Sequence, residues 1–148
     1  MNEIERKFLV KEVPVLEGLV AKHITQSYIK ITQFEEERIR KTESEGVTSY
    51  ERTVKTGSGI IREEKTTDLM PDEYDWFLEQ AVATLIKTRY VIEDIGAELD
   101  IYPSGLVIVE VEFDSLEKAE AFIPPAWFGE EVTGNKQYSN AQLALAVI

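Results

Sequence analysis

The sequence predicts a mainly β (α+β) domain: a closed eight-stranded antiparallel β-barrel with a charged lumen and a few covering helices. Two observations carry this. About eight segments alternate with a period of two, near residues 3–10, 24–32, 36–43, 47–56, 59–66, 86–93, 97–102 and 106–113. Eight strands is the size at which a closed barrel leaves room for side chains and one small ligand. The second observation is six stretches with charges one position apart: Glu3-Ile4-Glu5-Arg6-Lys7, Arg38-Ile39-Arg40, Arg62-Glu63-Glu64, Lys87-Thr88-Arg89, Glu98-Leu99-Asp100 and Glu110-Val111-Glu112. On a strand, residues i and i+2 share a face. These charges therefore enter one surface, while Ile4, Phe8, Ile39, Leu99, Ile101, Val109, Val111 and Phe113 face the other way. An ordinary half-buried strand scatters its charges outside. Here both signs recur on one face, strand after strand, as in a barrel lumen built for a highly charged ligand.

Taken in order, the strands are punctuated by turn residues. Glu45-Gly46 and Gly57-Ser58-Gly59 mark consecutive hairpins, and Pro103-Ser104-Gly105 marks another. Residues 12–22 are ambiguous, with Leu16, Leu19 and Val20 compatible with a short helical turn. Pro71 suits a first helical position, and Asp72, Glu73 and Asp75 suit the early turns. Tyr74, Phe77, Leu78, Ala81 and Leu85 then form a stripe at helical spacing. Ser115 caps a short helix through Phe122. Ser139 with Gln142 reads as a capping box for a helix ending at Ile148. These helices are expected to cover the apolar outer wall.

Composition narrows the function. At 148 residues the chain reads as a single domain over 1–148, large enough for a real core. Its 43% hydrophobic and 30% charged content fits a globular fold. No apolar run reaches the roughly 18–20 residues that span a bilayer, and no signal peptide precedes the first strand. A cytoplasmic, membrane-free protein is expected. With no cysteine and one histidine, His23, any metal is expected to be hard and oxygen-ligated, namely Mg²⁺, Mn²⁺ or Ca²⁺. A net charge of −12 argues against a nucleic-acid partner. Yet Lys7, Arg38, Arg40, Lys55, Arg62, Lys87 and Arg89 all fall on the shared face, and Lys136 can join them. Cations gathered inside an acidic exterior suit a small polyanion. The sequence leaves open whether the barrel forms a homodimer.

Glu3-x-Glu5-x-Lys7 is the strongest chemical signal. Two carboxylates on one strand face can ligate Mg²⁺, and the lysine beyond them can hold a phosphate oxygen bridged to it. Glu110-x-Glu112, with Asp100 on the preceding strand, can complete an oxygen site for one or two divalent ions. Arg38 and Arg40 can grip phosphate oxygens bidentately, and Arg62, Arg89, Lys55 and Lys7 add donors. Glu64 shares the lumen face. Cross-strand salt bridges among these groups are the alternative reading.

These residues resemble the CYTH proteins, or triphosphate tunnel metalloenzymes. The resemblance runs through Glu3-x-Glu5-x-Lys7, Gln26-x-Tyr28, Arg38-x-Arg40, Thr53-x-Lys55, Arg62-x-Glu64, Lys87-Thr88-Arg89-Tyr90, Glu98-Leu99-Asp100 and Glu110-Val111-Glu112-Phe113. The segment 124–133, followed by Lys136, Tyr138 and Asn140, looks like the short bacterial members. Two positions depart from the pattern: Ile29 where leucine is usual, and Glu51, which shares parity with Thr53 and Lys55. The resemblance implies a tunnel that hydrolyses a small-molecule triphosphate, inorganic triphosphate first, with Mg²⁺ or Mn²⁺. It casts Lys87 as a general base or water-orienting residue, with a phosphate clamp as the alternative, and Tyr28 and Glu64 as supporting groups. Organic triphosphates, or a non-catalytic polyphosphate-binding module, remain the competing readings.

Overall fold

The computed structural model describes residues 2–57 and 61–146. Its strands are Asn2–Val10 (β1), Ala21–Ile31 (β2), Glu35–Ser44 (β3), Val47–Thr56 (β4), Ile61–Asp68 (β5), Ala83–Ile92 (β6), Ala97–Ile101 (β7), Val107–Glu112 (β8) and Phe128–Glu131 (β9). The helices are Pro71–Leu78 (α1), Leu116–Ala121 (α2) and Asn140–Ala146 (α3). Every strand pairing is antiparallel, in the order β5-β4-β3-β2-β6-β7-β8-β1. Pairing of β1 with β5 closes the eight-stranded barrel. Among the described residues no helix is long and apolar enough to cross a membrane.

The closing seam is short. β1 meets β5 only over Asn2–Ile4, whereas its other edge pairs with β8 from Glu5 to Leu9. Farther along the seam, β9 takes over at Phe8 and Val10. Between them the C-terminal segment satisfies the backbone of Lys7: its N–H donates to Thr133 Oγ1 at 2.9 Å, and its carbonyl accepts from Val132 N–H at 2.8 Å. β9 was not foreseen, because Phe128-Gly129-Glu130-Glu131 is too short to alternate. Gly129 eases the approach of the two strands, since a Cβ would stand 3.1 Å from the Leu9 carbonyl oxygen.

Glu45-Gly46 forms the expected two-residue hairpin, with Ser44 paired to Val47 and positive φ at both Glu45 (51°) and Gly46 (76°). Residues 58–60 of the Gly57-Ser58-Gly59 turn lie outside the described residues. The Pro103-Ser104-Gly105 turn closes through Gly105 N–H to Tyr102 O at 2.9 Å. Leu19 N–H bonding to Leu16 O makes a turn in the ambiguous stretch, and His23 is exposed.

Two helix expectations need correction. α1 ends at Leu78, well short of Leu85 in the predicted stripe. Val82 N–H donates to Tyr28 O, and Ala83 pairs with Tyr28, so β-pairing captures the chain and turns Leu85 into the lumen as a strand residue. Nor do all helices cover the outer wall. α2, capped by Ser115 Oγ, and the segment around Phe128 do cover it, burying Phe8, Val109 and Val111 with Phe122 and Trp127. α3 instead plugs one end of the barrel: Ala141 and Ala144 pack against the inward-facing Tyr28, Leu85, Tyr102 and Ile108. Each such large apolar side chain removed from water stabilises by about 1.5–3 kcal/mol. Ser139 Oγ accepts from Gln142 N–H at the start of α3, and Val147 and Ile148, which completed the predicted helix, lie outside the described residues.

Candidate active site

Because register fixes facing, the pairing decides which charges meet. Directly opposite pairs are Glu5 and Glu112, Lys7 and Glu110, Glu3 and Arg62, Lys55 and Glu64, Arg89 and Asp100, and Glu98 and Glu110. The result is a chamber of about 130 Å³. Its walls carry six cations (Lys7, Arg38, Arg40, Lys55, Arg62, Arg89) and seven carboxylates (Glu3, Glu5, Glu36, Glu64, Glu98, Glu110, Glu112), with Tyr28, Ser139 and Asn140 beside them. α3 brings those last two residues in and seals the apolar end. Lys136 does not reach this chamber. It is exposed and lines a wider adjoining cavity of about 670 Å³, which shares Glu5, Lys7, Glu36 and Arg62 with the chamber.

One carboxylate oxygen each from Glu3, Glu5 and Glu112 lies within 4.8 Å of the others. Such a set is electrostatically unstable alone. Burial first, and a hydrogen bond shared with Glu64 second, raise the Glu3 carboxyl to about 7, although Lys55 Nζ stands 3.2 Å away and pulls it down. Burial and the charge of Glu110 raise Glu5 well above the usual range, and burial with Glu98 raises Glu112. Raised carboxyls crowded on one point form a donor set that a divalent cation suits, since the ion replaces both the protons and the repulsion. Glu110 stands outside this trio. Burial opposes its charge, but Lys7, with Nζ at 3.5 Å, together with Lys87 and Arg89 keeps it well below the usual range.

Asp100 also stands apart from the trio. It is 1% exposed; its Oδ1 and Oδ2 accept from Arg89 at 2.8 and 3.0 Å, and Oδ2 lies 2.7 Å from Lys87 Nζ. The pairing holds Asp100 low despite burial and holds Arg89 protonated. Lys87 differs: burial lowers it to about 7, and Arg89 and Arg40 add to the fall while Asp100 resists it. Arg40 is lowered to about 10 by burial and by Arg38 and Arg89. Its Nε donates to Gln26 Oε1 at 2.9 Å and its Nη1 to Glu51 at 3.3 Å. β3 and β4 pair without a bulge, so Glu51 does face inward, as its parity implied.

Arg38 and Arg62 each keep a spare donor, although Arg62 Nη2 lies 3.4 Å from Glu36 Oε1. Among the described residues the buried Nε of each has no hydrogen-bond partner. Donors held dry and unused are expensive, about 1–3 kcal/mol each, and invite an acceptor into the chamber.

Two lining residues lie outside the sequence reading. Glu36 shares the parity of Arg38 and Arg40, so alternation alone could have found it; Glu98, read from the sequence on the charged face, lines the chamber as expected. Ser139 carries no such signal, because only the packing of α3 against the barrel end brings it in; Tyr102, which shares the parity of Asp100, meets the site through Asn140, its Oη donating to Oδ1 at 2.6 Å.

Fold and site together define a class: a closed antiparallel β-tunnel whose interior joins a carboxylate trio to a set of arginines and lysines. No family model matches the chain. It is 39% identical to an inorganic triphosphatase of Nitrosomonas europaea, over 99% of both chains, and 29% identical to an inorganic triphosphatase of Acetivibrio thermocellus, over 96% of this chain and 92% of that one. The crystal structure of the inorganic triphosphatase NE1496 matches with a TM-score of 0.66 and 37% identity, covering 98% of this chain and 95% of that one. PH1819 from Pyrococcus horikoshii, at 21% identity and a TM-score of 0.56, shares the fold over 80% of this chain and 81% of that one. The chain belongs to the family of these inorganic triphosphatases.

Proposed function

We propose that this chain is a triphosphate tunnel metalloenzyme of the CYTH type, one tunnel domain over 1–148, that hydrolyses inorganic triphosphate to pyrophosphate and phosphate. The observation that carries the reading is the pair of buried, unpartnered guanidinium nitrogens on Arg38 and Arg62, facing the same chamber as the Glu3, Glu5 and Glu112 trio. The names of the full-length relatives support it.

In this reading Arg38, Arg40, Arg62, Arg89, Lys55 and Lys7 bind the phosphate chain and fix it in line for displacement. A divalent ion held by Glu3, Glu5 and Glu112, Mg²⁺ or Mn²⁺, would neutralise phosphate charge as pyrophosphate departs. Asp100 holds Lys87 and Arg89 in place rather than completing the ion site. Lys87, lowered to about 7 by burial so that a share of it is neutral near pH 7, takes a proton from the water that attacks the terminal phosphorus. As that P–O bond forms, the bond to the pyrophosphate oxygen breaks. No covalent nucleophile is needed.

A second reading has one observation in its favour. The adjoining cavity of about 670 Å³ has apolar walls including Ile29, Ile31, Val82 and Ala141, which suits an organic group attached to the triphosphate. Parallel incubation with tripolyphosphate, ATP and thiamine triphosphate under Mg²⁺ or Mn²⁺ separates the two. Fastest release of phosphate and pyrophosphate from tripolyphosphate upholds the first, and preference for either organic substrate replaces it with the second. Tight binding of tripolyphosphate with no turnover under both metals defeats both and leaves a binding module.

A further inference from the structure

Asn140, the first residue of the plug helix α3, reaches the one amine to which the proposed mechanism gives a proton-transfer role. Its Oδ1 accepts from Tyr102 Oη at 2.6 Å and from Lys87 Nζ at 3.4 Å. The second contact is long, so Asn140 binds the amine weakly and offers its oxygen as one direction for an N–H. Lys87 has Asp100 Oδ2 as its other close partner, at 2.7 Å, and its side chain has no exposed surface.

Both partners are oxygens that only accept. An ionised carboxylate has no hydrogen to give, and the Tyr102 hydroxyl, when it donates to Oδ1, turns the carboxamide oxygen rather than its NH₂ toward Lys87. A neutral lysine amine has two N–H bonds and one lone pair. With one N–H directed at Asp100 and the other at Asn140, the lone pair takes the remaining tetrahedral direction. Packing of Ala141 and Ala144 against Tyr28, Leu85, Tyr102 and Ile108 holds Asn140 at the correct height.

We infer that Asn140 is a positioning residue for the hydrolytic step: with Tyr102 it fixes the Lys87 amine so that its lone pair, and not an N–H, meets the attacking water. The inference rests on the reading of Lys87 as proton acceptor. In the step itself the water oxygen bonds to the terminal phosphorus and its proton passes to Lys87 Nζ, which becomes an ammonium. The P–O bond to pyrophosphate breaks, and pyrophosphate leaves with that electron pair. The plug helix thereby couples sealing of the tunnel end to readiness of the base.

The test uses the full chain with tripolyphosphate and Mg²⁺ or Mn²⁺. Asn140→Leu keeps the volume, removes the acceptor and admits no substitute water. Its kcat is expected to fall by about 10- to 100-fold, part of what a general base contributes, with KM within about threefold of the parent. Tyr102→Phe, which frees the carboxamide to turn over, is expected to lower kcat by a smaller factor with the same unchanged KM. A folded Asn140→Leu protein with parental kcat overturns the inference, as does one whose KM rises while kcat holds. Should Asn140→Leu fail to fold, the kcat and KM of Tyr102→Phe decide by the same criterion. Lys87→Ala distinguishes the two levels. If it retains turnover, the base reading fails; if it loses turnover while Asn140→Leu retains it, the role of Asn140 alone fails.

Discussion

Replacing Asp100 by Asn probes the ion-pair arrangement beneath the chamber. Asp100 receives three short charge-assisted contacts, at 2.7 Å from Lys87 and at 2.8 and 3.0 Å from Arg89, and is 1% exposed. A carboxamide of the same shape keeps one acceptor oxygen but leaves the Arg89 guanidinium, charged in either state of Lys87, without its bidentate carboxylate. Breaking a buried pair in this way costs about 3–5 kcal/mol, because an unmatched buried charge is left behind. For a chain near 150 residues each kcal/mol moves Tm by about 2–4 °C, so the melting point should fall by roughly 6–20 °C. Urea and thermal unfolding followed by circular dichroism measure this directly. Tripolyphosphate should restore part of the loss, since it supplies negative charge to Arg89 in the folded state only. A loss below about 1 kcal/mol would show that Asp100 does not anchor these cations, and would refute the assignment of Asp100 to them rather than to the ion site.

Other consequences can be measured in the same way. Glu3, raised to about 7, binds an extra proton in the folded state between pH 4.5 and 7, so its contribution to stability falls as pH rises through that window; Lys87, lowered to about 7, binds fewer protons than the unfolded chain between pH 7 and 10.5, so stability rises there. Metal-free protein should therefore be least stable near pH 7 in urea melts, by about 3 kcal/mol relative to the acid side and about 5 kcal/mol relative to the alkaline side, and a flat profile would contradict these shifts. Glu112→Gln, which removes one carboxylate of the trio and relieves its repulsion, should stabilise the metal-free protein slightly while weakening Mn²⁺ binding by about 10- to 100-fold in calorimetry. Unchanged Mn²⁺ affinity would remove Glu112 from the site. Glu45→Gly relieves a left-handed residue in the β3–β4 hairpin, at φ 51°, and should raise stability by roughly 0.5–1 kcal/mol without altering activity. A loss of stability would mean that the Glu45 side chain makes a stabilising contact there.

Much of this architecture was legible because a barrel obeys one simple rule. Alternation assigns facing, and every charged doublet named from the sequence, from Glu3-x-Glu5 to Glu110-x-Glu112, does face the lumen. Turn chemistry located the hairpin at Glu45-Gly46 for the same local reason. The misreadings came where tertiary pairing decided. The stripe from Tyr74 to Leu85 has helical spacing, yet the backbone of Tyr28 draws Val82 and Ala83 into a strand. β9 has four residues and no periodicity, and exists because the short β1–β5 seam leaves an edge for it to fill. Within the site, charge type and parity put Glu3, Glu5 and Lys7 on the chamber wall, where the structure has them. They could not show that Asp100 is occupied by Lys87 and Arg89, or that Lys136 stays outside the chamber. Those facts depend on which side chains reach one another across the lumen. The role of α3 as a plug was hidden for a similar reason: its Ala141 and Ala144 look like any amphipathic face until the barrel end they fill is known.

The central claim is that water, directed within this tunnel, attacks the terminal phosphorus of a triphosphate. A limited turnover of tripolyphosphate in ¹⁸O-labelled water, with Mg²⁺ or Mn²⁺ and the products resolved by mass spectrometry, tests it most directly. The account predicts one phosphate and one pyrophosphate per substrate, with the label in phosphate alone, and loss of both products on chelation of the metal. Label in pyrophosphate, or binding with no products under either metal, would contradict it.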